Sequence, residues 1–171
     1  MTTDYTHVAS YDVRDVLWKE LQNAGILNIN DYMADGFLEP LIPIVPSQQI
    51  PEFNNLLPGK TYLTYNVIQK NYGVQWWMSQ ESMIFEIVSR KPNEIQTITN
   101  FMIDLFRRYD LAAKDINLQL NSNSPYDFFY FKIETADPIQ PFTDEGGYMS
   151  GDITIHYSYT RNVDLNTGRF A

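Results

Sequence analysis

Cysteine is absent from the 171 residues, which removes disulfides, thiolate nucleophiles and thiolate-bound zinc. Histidine is nearly absent too. Only His7 and His156 occur, and no Asp or Glu spacing joins either one into a recognisable catalytic set. A zinc site would need two or three more ligands drawn from scattered carboxylates. Basic residues are scarce as well: Lys+Arg 12 against Asp+Glu 21 leaves a formal net charge of −9, which excludes a broad cationic surface for a phosphate backbone. No apolar run approaches the ~20 residues of a membrane span, and the opening MTTDYTHVAS lacks the basic and apolar regions of a signal peptide. The expectation is a soluble chain with no membrane partner. None of the eight glycines falls into a GxGxxG, Walker or GxSxG pattern, which disfavours nucleotide cofactors and serine hydrolysis. The reading is therefore no enzyme, no cofactor and no metal, with a carboxylate enzyme assembled from distant positions left open.

What the chain does have is aromatic residues, 15% of the total, while charged residues reach only 19% against the usual ~25%. That pairing suits burial of surface either against partners or within the chain's own core, because aromatics carry interface energy and charges are depleted at interface centres. The length fits one domain, read as residues 1–160, followed by a short tail at 161–171.

Apolar spacing predicts a first helix over 12–24, with Val13, Val16, Leu17 and Leu21 on one stripe, Asp12 as its cap and Gly25 as its stop. Trp18, beside that stripe, is read as core. From 28 to 60 periodicity is lost and Pro40, Pro43, Pro46, Pro51 and Pro58 recur, which forbids a long helix or a central strand there. This stretch also carries Phe37, Leu38, Ile42, Phe53, Leu56 and Leu57, so it lies either on its own domain or on a neighbouring subunit.

Two strands, 61–68 and 75–88, read as a hairpin, with a bulge expected near 79–82 because the second is long. Residues 91–109 form the core helix, with Ile95, Ile98, Met102, Leu105, Phe106 and Tyr109 in line. The stretch 110–120 is either a further helix or a loop. Strands at 127–135 and 150–160 should pair antiparallel. The fold class is therefore α+β, a mainly antiparallel sheet of four to five strands against two helices on one face. Strict alternation puts Phe128 and Tyr130 opposite Phe129, Phe131 and Ile133, and it separates Trp76 from Trp77. Two strands then look apolar on both faces, and the second face needs cover from neighbours or from the proline-rich segment.

The segments DVRDVLWKELQNAG, PLIPIVPSQQIPEFNNLLPGK, QWWMSQESMIFEIVS, NEIQTITNFMIDLFRRYD and GDITIHYSYTR, in this order, resemble those of the tail terminator and tail-completion (neck) proteins of long-tailed bacteriophages. The resemblance implies a virion protein forming a homo-oligomeric ring, commonly a hexamer, that caps the tail tube and meets the head connector or sheath. It carries over no catalytic residue. The partners it implies are further copies of the chain, a tail tube protein and a connector or sheath protein. An acidic lumen would repel DNA phosphates and let the genome pass without sequence-specific binding. Candidate interface residues are Trp76 and Trp77 at the hairpin end, Phe53, Leu56 and Leu57 in the proline-rich segment, and Asp137, Asp144 and Glu145 in the loop 137–147. Competing readings are another phage neck or head-completion adaptor, a small-molecule-binding enzyme with a pocket of Tyr and Trp, and a host cytosolic adaptor.

Overall fold

The structure is a computed structural model, and it describes residues 6–72, 78–121, 123–141, 146–164, 166–167 and 169–170. In chain order its elements are α1 (Ala9–Asn23), β1 (Ile44–Pro46), α2 (Ile50–Leu56), β2 (Tyr62–Tyr72), β3 (Met78–Ser89), α3 (Pro92–Phe106), α4 (Asp110–Leu120), β4 (Tyr126–Ala136), β5 (Gln140–Pro141) and β6 (Met149–Arg161). A separate ribbon of β7 (Val163–Asp164) and β8 (Arg169–Phe170) lies in the stretch read as a short tail. The fold is α+β, as expected, but with six strands in the main sheet and four α-helices among the described residues.

The sheet runs in the order β1, β2, β3, β6, β4, with β5 beside β6. All pairings are antiparallel except the parallel edge pair of β1 with β2. Its central ladder joins β3 to β6 without a register shift, from Met78 opposite Thr160 to Ser89 opposite Met149. Paired residues share a face, so Met83, Phe85 and Ile87 line up with Ile155, Ile153 and Gly151. Helix α3 lies on that face. Its Phe106 ring sits 5.4 Å from Phe131, and Ile95 Cγ2 would stand 2.9 Å from a Cβ at position 151, so only glycine fits there.

The bulge expected in β3 is instead in its partner, where the register of β2 shifts between Val67 and Gln69. Strand β3 keeps its register through this polar stretch, and its core-facing carboxylate is satisfied. The buried Glu81 accepts hydrogen bonds from the Tyr157 and Tyr159 hydroxyls at 2.6 Å each, and Lys70 Nζ lies 3.2 Å away. Strand β4 is bulged twice, between Phe128 and Tyr130 and between Ile133 and Thr135. The first bulge resets the alternation, so Phe128, Phe131 and Ile133 all face the core opposite Tyr159, Tyr157 and Ile155, while Phe129 is left at the bulge. The double-sided apolar reading of β4 therefore fails on a single extra residue.

The second face is mostly polar. Thr64, Ser82, Glu86, Asp152, Thr154, His156 and Ser158 fall on it by register. One end is roofed by the proline-rich segment, where α2 brings Phe53 within 5.5 Å of Tyr62 and Tyr148 lies 6.4 Å from the same ring. That segment lies on its own domain, with Ile44, Val45, Phe53 and Leu57 all buried.

Helix α1 begins at Ala9, and Asp12 does not cap it: the N-cap is Val8, with no side-chain bond. Asp12 is buried, with His7 Nε2 at 2.8 Å and Ser124 Oγ donating to it at 2.5 Å. His7 stacks on Tyr126. Gly25 does end α1, at φ +69°, with Ile26 N–H bonded to the Leu21 carbonyl in a Schellman closure. Trp18 is core, edge-on to Tyr32 at 5.7 Å.

The reset alternation predicts that Phe128→Ala costs about 3–5 kcal/mol in urea denaturation, whereas Phe129→Ala changes stability by about 0.5 kcal/mol or less. Removing the hydroxyl in Tyr157→Phe, which leaves a buried carboxylate one donor short, should cost about 1.5–3 kcal/mol by the same measurement.

Candidate interaction surface

Exposed large apolar side chains among the described residues occur at both opposite edges of the sheet. At the β1–β2 edge are Val67 and Ile68 at the β2 bulge and Phe37 beside β1; Tyr11 of α1 and Ile29, Met33 and Leu38 in the segment leading to β1 are exposed as well. Ile68 is 57% exposed and Leu38 98%. At the β4 edge are Phe129 at the first β4 bulge and Tyr109, Leu111 and Leu118 along α4.

The β1–β2 edge is built unevenly. Strand β1 covers β2 only from Leu63 to Tyr65, and beyond that the outer side of β2 has no strand partner among the described residues. The bulge at Ile68 and the charge of Lys70 make this open stretch a poor template for strand addition, so its reach is through side chains. Beside β1, a groove of about 390 Å³ is floored by Ile44, Val45 and Phe53 and walled by Phe37, Ile42 and Leu56, with Arg14 and Glu52 also lining it.

The β4 edge is covered at Phe128 by Asn117 of α4 and at Phe131 by the Tyr109 carbonyl. Asn117 Nδ2 donates to the Phe128 carbonyl at 2.7 Å, and Asn117 Oδ1 accepts the Phe128 N–H at 2.9 Å, imitating a strand neighbour. Tyr109 opens α4 with φ +52°, a conformation costing a bulky residue about 1–3 kcal/mol. It is held there because its carbonyl accepts from both Ala113 and Phe131. The strained turn leaves its ring in solvent. Ala112, Ala113 and Ile116 form the buried stripe of α4, and their spacing forces Leu111 and Leu118 outward.

Two clusters combine serine, histidine and carboxylate, and neither has the geometry of a nucleophile relay, in which the imidazole stands between hydroxyl and acid. In the first, Asp12 is the middle member and receives both His7 and Ser124. In the second, on the polar sheet face, Ser82 Oγ lies 2.9 Å and Glu134 Oε1 3.7 Å from the same nitrogen, His156 Nδ1. His156 is largely covered; burial lowers its pKa, opposed by Glu134 and assisted by Lys132. A third cluster fixes the start of α3 beside a cleft of about 310 Å³ lined in part by Asp31, Lys60, Arg90 and Lys91. Burial pushes the Glu94 carboxyl up, but hydrogen bonds from Thr61, Ser89 and Lys91 outweigh it and hold the pKa below its usual value. No group of three or more His, Asp or Glu side chains among the described residues is placed to hold a metal ion. No helix among them is long and apolar enough to cross a membrane.

Of the residues predicted from sequence as interface anchors, Phe53 and Leu57 are buried in the chain's own core, Phe53 as part of the groove floor. The cause is α2, whose short turn folds them under. Leu56 is half-buried and lines the groove. Asp137 is exposed, and its N–H bonds to the Asp152 carbonyl at 2.8 Å. Trp76, Trp77, Asp144 and Glu145 lie outside the described residues. Leu111, Leu118 and Ile68 were missed. The two leucines were signalled by the Ala-Ala-x-x-Ile stripe that excludes them, whereas nothing local announced the bulge at Ile68.

Glu86 and Asp152 are direct cross-strand partners, and burial followed by mutual or neighbouring carboxylate charge raises both pKa values. A raised carboxyl pKa gives stability that is complete below the ordinary carboxyl range and lost as pH rises through the folded value. Glu86→Gln should therefore stabilise the protein at pH 7 by about 0.5 kcal/mol, the scale of a relieved like-charge pair. The gain should shrink toward pH 4, as read by urea denaturation at both pH values. No family model matches this chain, and no curated protein does.

Proposed function

We propose that this chain is a structural virion protein of the phage tail-terminator kind, a homo-oligomeric ring that caps a tail tube and meets the head connector. The observation that carries this reading is the presence of exposed apolar side chains at opposite edges of one sheet. A monomer needs no such pair of edges, and a two-fold dimer would use one edge twice. Two different sticky edges on one protomer call for head-to-tail contacts, which close into a ring when the rotation allows.

The rest of the molecule is compatible. The β2 edge is guarded by a bulge and a lysine and the β4 edge by Asn117, so the contacts run through side chains rather than through indefinite strand addition. The net charge of −9 suits a channel through which DNA passes without adhering. The tube and connector partners come from the family resemblance.

The purified chain, followed by native mass spectrometry over rising concentration and by electron microscopy, should give one closed ring whose mass is an integer multiple of 20.0 kDa. Ile68→Asp should abolish it while leaving the thermal melt unchanged. A species that stays monomeric at every concentration overturns the reading.

A further inference from the structure

Resting on that reading, we infer that successive copies join by seating the α4 ridge of one protomer in the β1–α2 groove of the next. The two features stand at opposite edges of the sheet, as a head-to-tail contact requires. They are also opposite in shape. Leu111, Lys114 and Leu118 follow one another at i, i+3 and i+7 and form a single protruding line on α4. The groove is a concavity of about 390 Å³ with an apolar floor.

Charge selects the pairing. Lys114 stands exposed between the two leucines, and Glu52 stands exposed among the residues lining the groove. Neither is ion-paired to a described residue of its own protomer. Arg14, the groove's cation, is already held by Asp15 at 2.7 Å. Ridge against ridge would oppose two lysines, and groove against groove would oppose two glutamates. Only ridge into groove brings Lys114 to Glu52, and in a chain of net charge −9 such an attraction distinguishes the correct contact from every like-charged one.

A charge swap and a crosslink test this together. Lys114→Glu and Glu52→Lys should each raise the concentration needed for ring formation at least tenfold in native mass spectrometry, and the double variant should restore it. Because the chain has no cysteine, introduced thiols react without background. Leu118→Cys combined with Phe37→Cys, treated with a short bis-maleimide, should give a ladder of covalent dimers, trimers and higher species on a denaturing gel, while each single variant stays monomeric there. Dimers from Leu118→Cys alone would show a symmetric contact and overturn the inference. Rings that persist in both charge variants, or that yield no ladder, overturn it while leaving the ring reading standing. A wild-type chain that never assembles removes both.

Discussion

The uninterrupted ladder between β3 and β6 is the constraint on which the rest of the molecule is built. Because it carries no shift, alternation along these two strands is strict, and every residue from Met78 to Ser89 has its face assigned by its partner. The core row that results, Met83, Phe85 and Ile87 beside Ile155, Ile153 and Gly151, is the bed for α3. The flanking strands absorb what the centre does not. Both β2 and β4 are bulged, and the bulges bend the outer strands while the central pair stays regular.

Glu81 secures that ladder. It sits on the core face, with Tyr157 directly opposite on β6 and Lys70 directly opposite on β2. A one-residue slip of either neighbour would send its side chain to the other face and leave a buried carboxylate without a donor or a countercharge. A buried ion pair adds little net stability, because desolvation offsets attraction. Its contribution is to make wrong registers far costlier than the right one. The polar stretch MSQES, which looks from the sequence like a place for the strand to break, is thus the part whose register is most tightly specified.

This contrast explains what was legible in the sequence. The core helix was readable because Ile95, Ile98, Met102 and Phe106 repeat at helical spacing and are buried along α3, but it ends at Phe106, and Tyr109, expected in the same stripe, stands exposed in the turn to α4. The pairing of the last two long strands was readable from the alternation of Ile153, Ile155, Tyr157 and Tyr159. Bulges were not. An inserted residue carries no composition of its own, and Phe129 looks like any other aromatic in DFFYF, yet it inverts the alternation as far as Ile133, where the second bulge resets it. Asp12 misled for a related reason: an acid near a helix start reads as a cap, and its true partners, His7 and Ser124, lie respectively before the helix and 112 residues downstream. The candidate surface suffered most, because the apolar content of 28–60 was visible while its division between a buried floor and an exposed rim depends on a seven-residue helix that prolines at both flanks did not announce.

The same bulges connect the fold to the proposed ring. A strand edge with regular hydrogen-bonding groups will accept any other strand, including those of misfolded or unrelated chains, and such association has no natural end. Kinking β2 at Ile68 and closing β4 with Asn117 remove that indiscriminate mode. At the same positions they push Val67, Ile68 and Phe129 into solvent. In the proposed ring, association then runs through side chains rather than backbone, in a mode that depends on shape and charge. Side-chain contacts also fix the angle between neighbours, and a fixed angle is what turns a repeating head-to-tail contact into a closed ring of definite number rather than a filament.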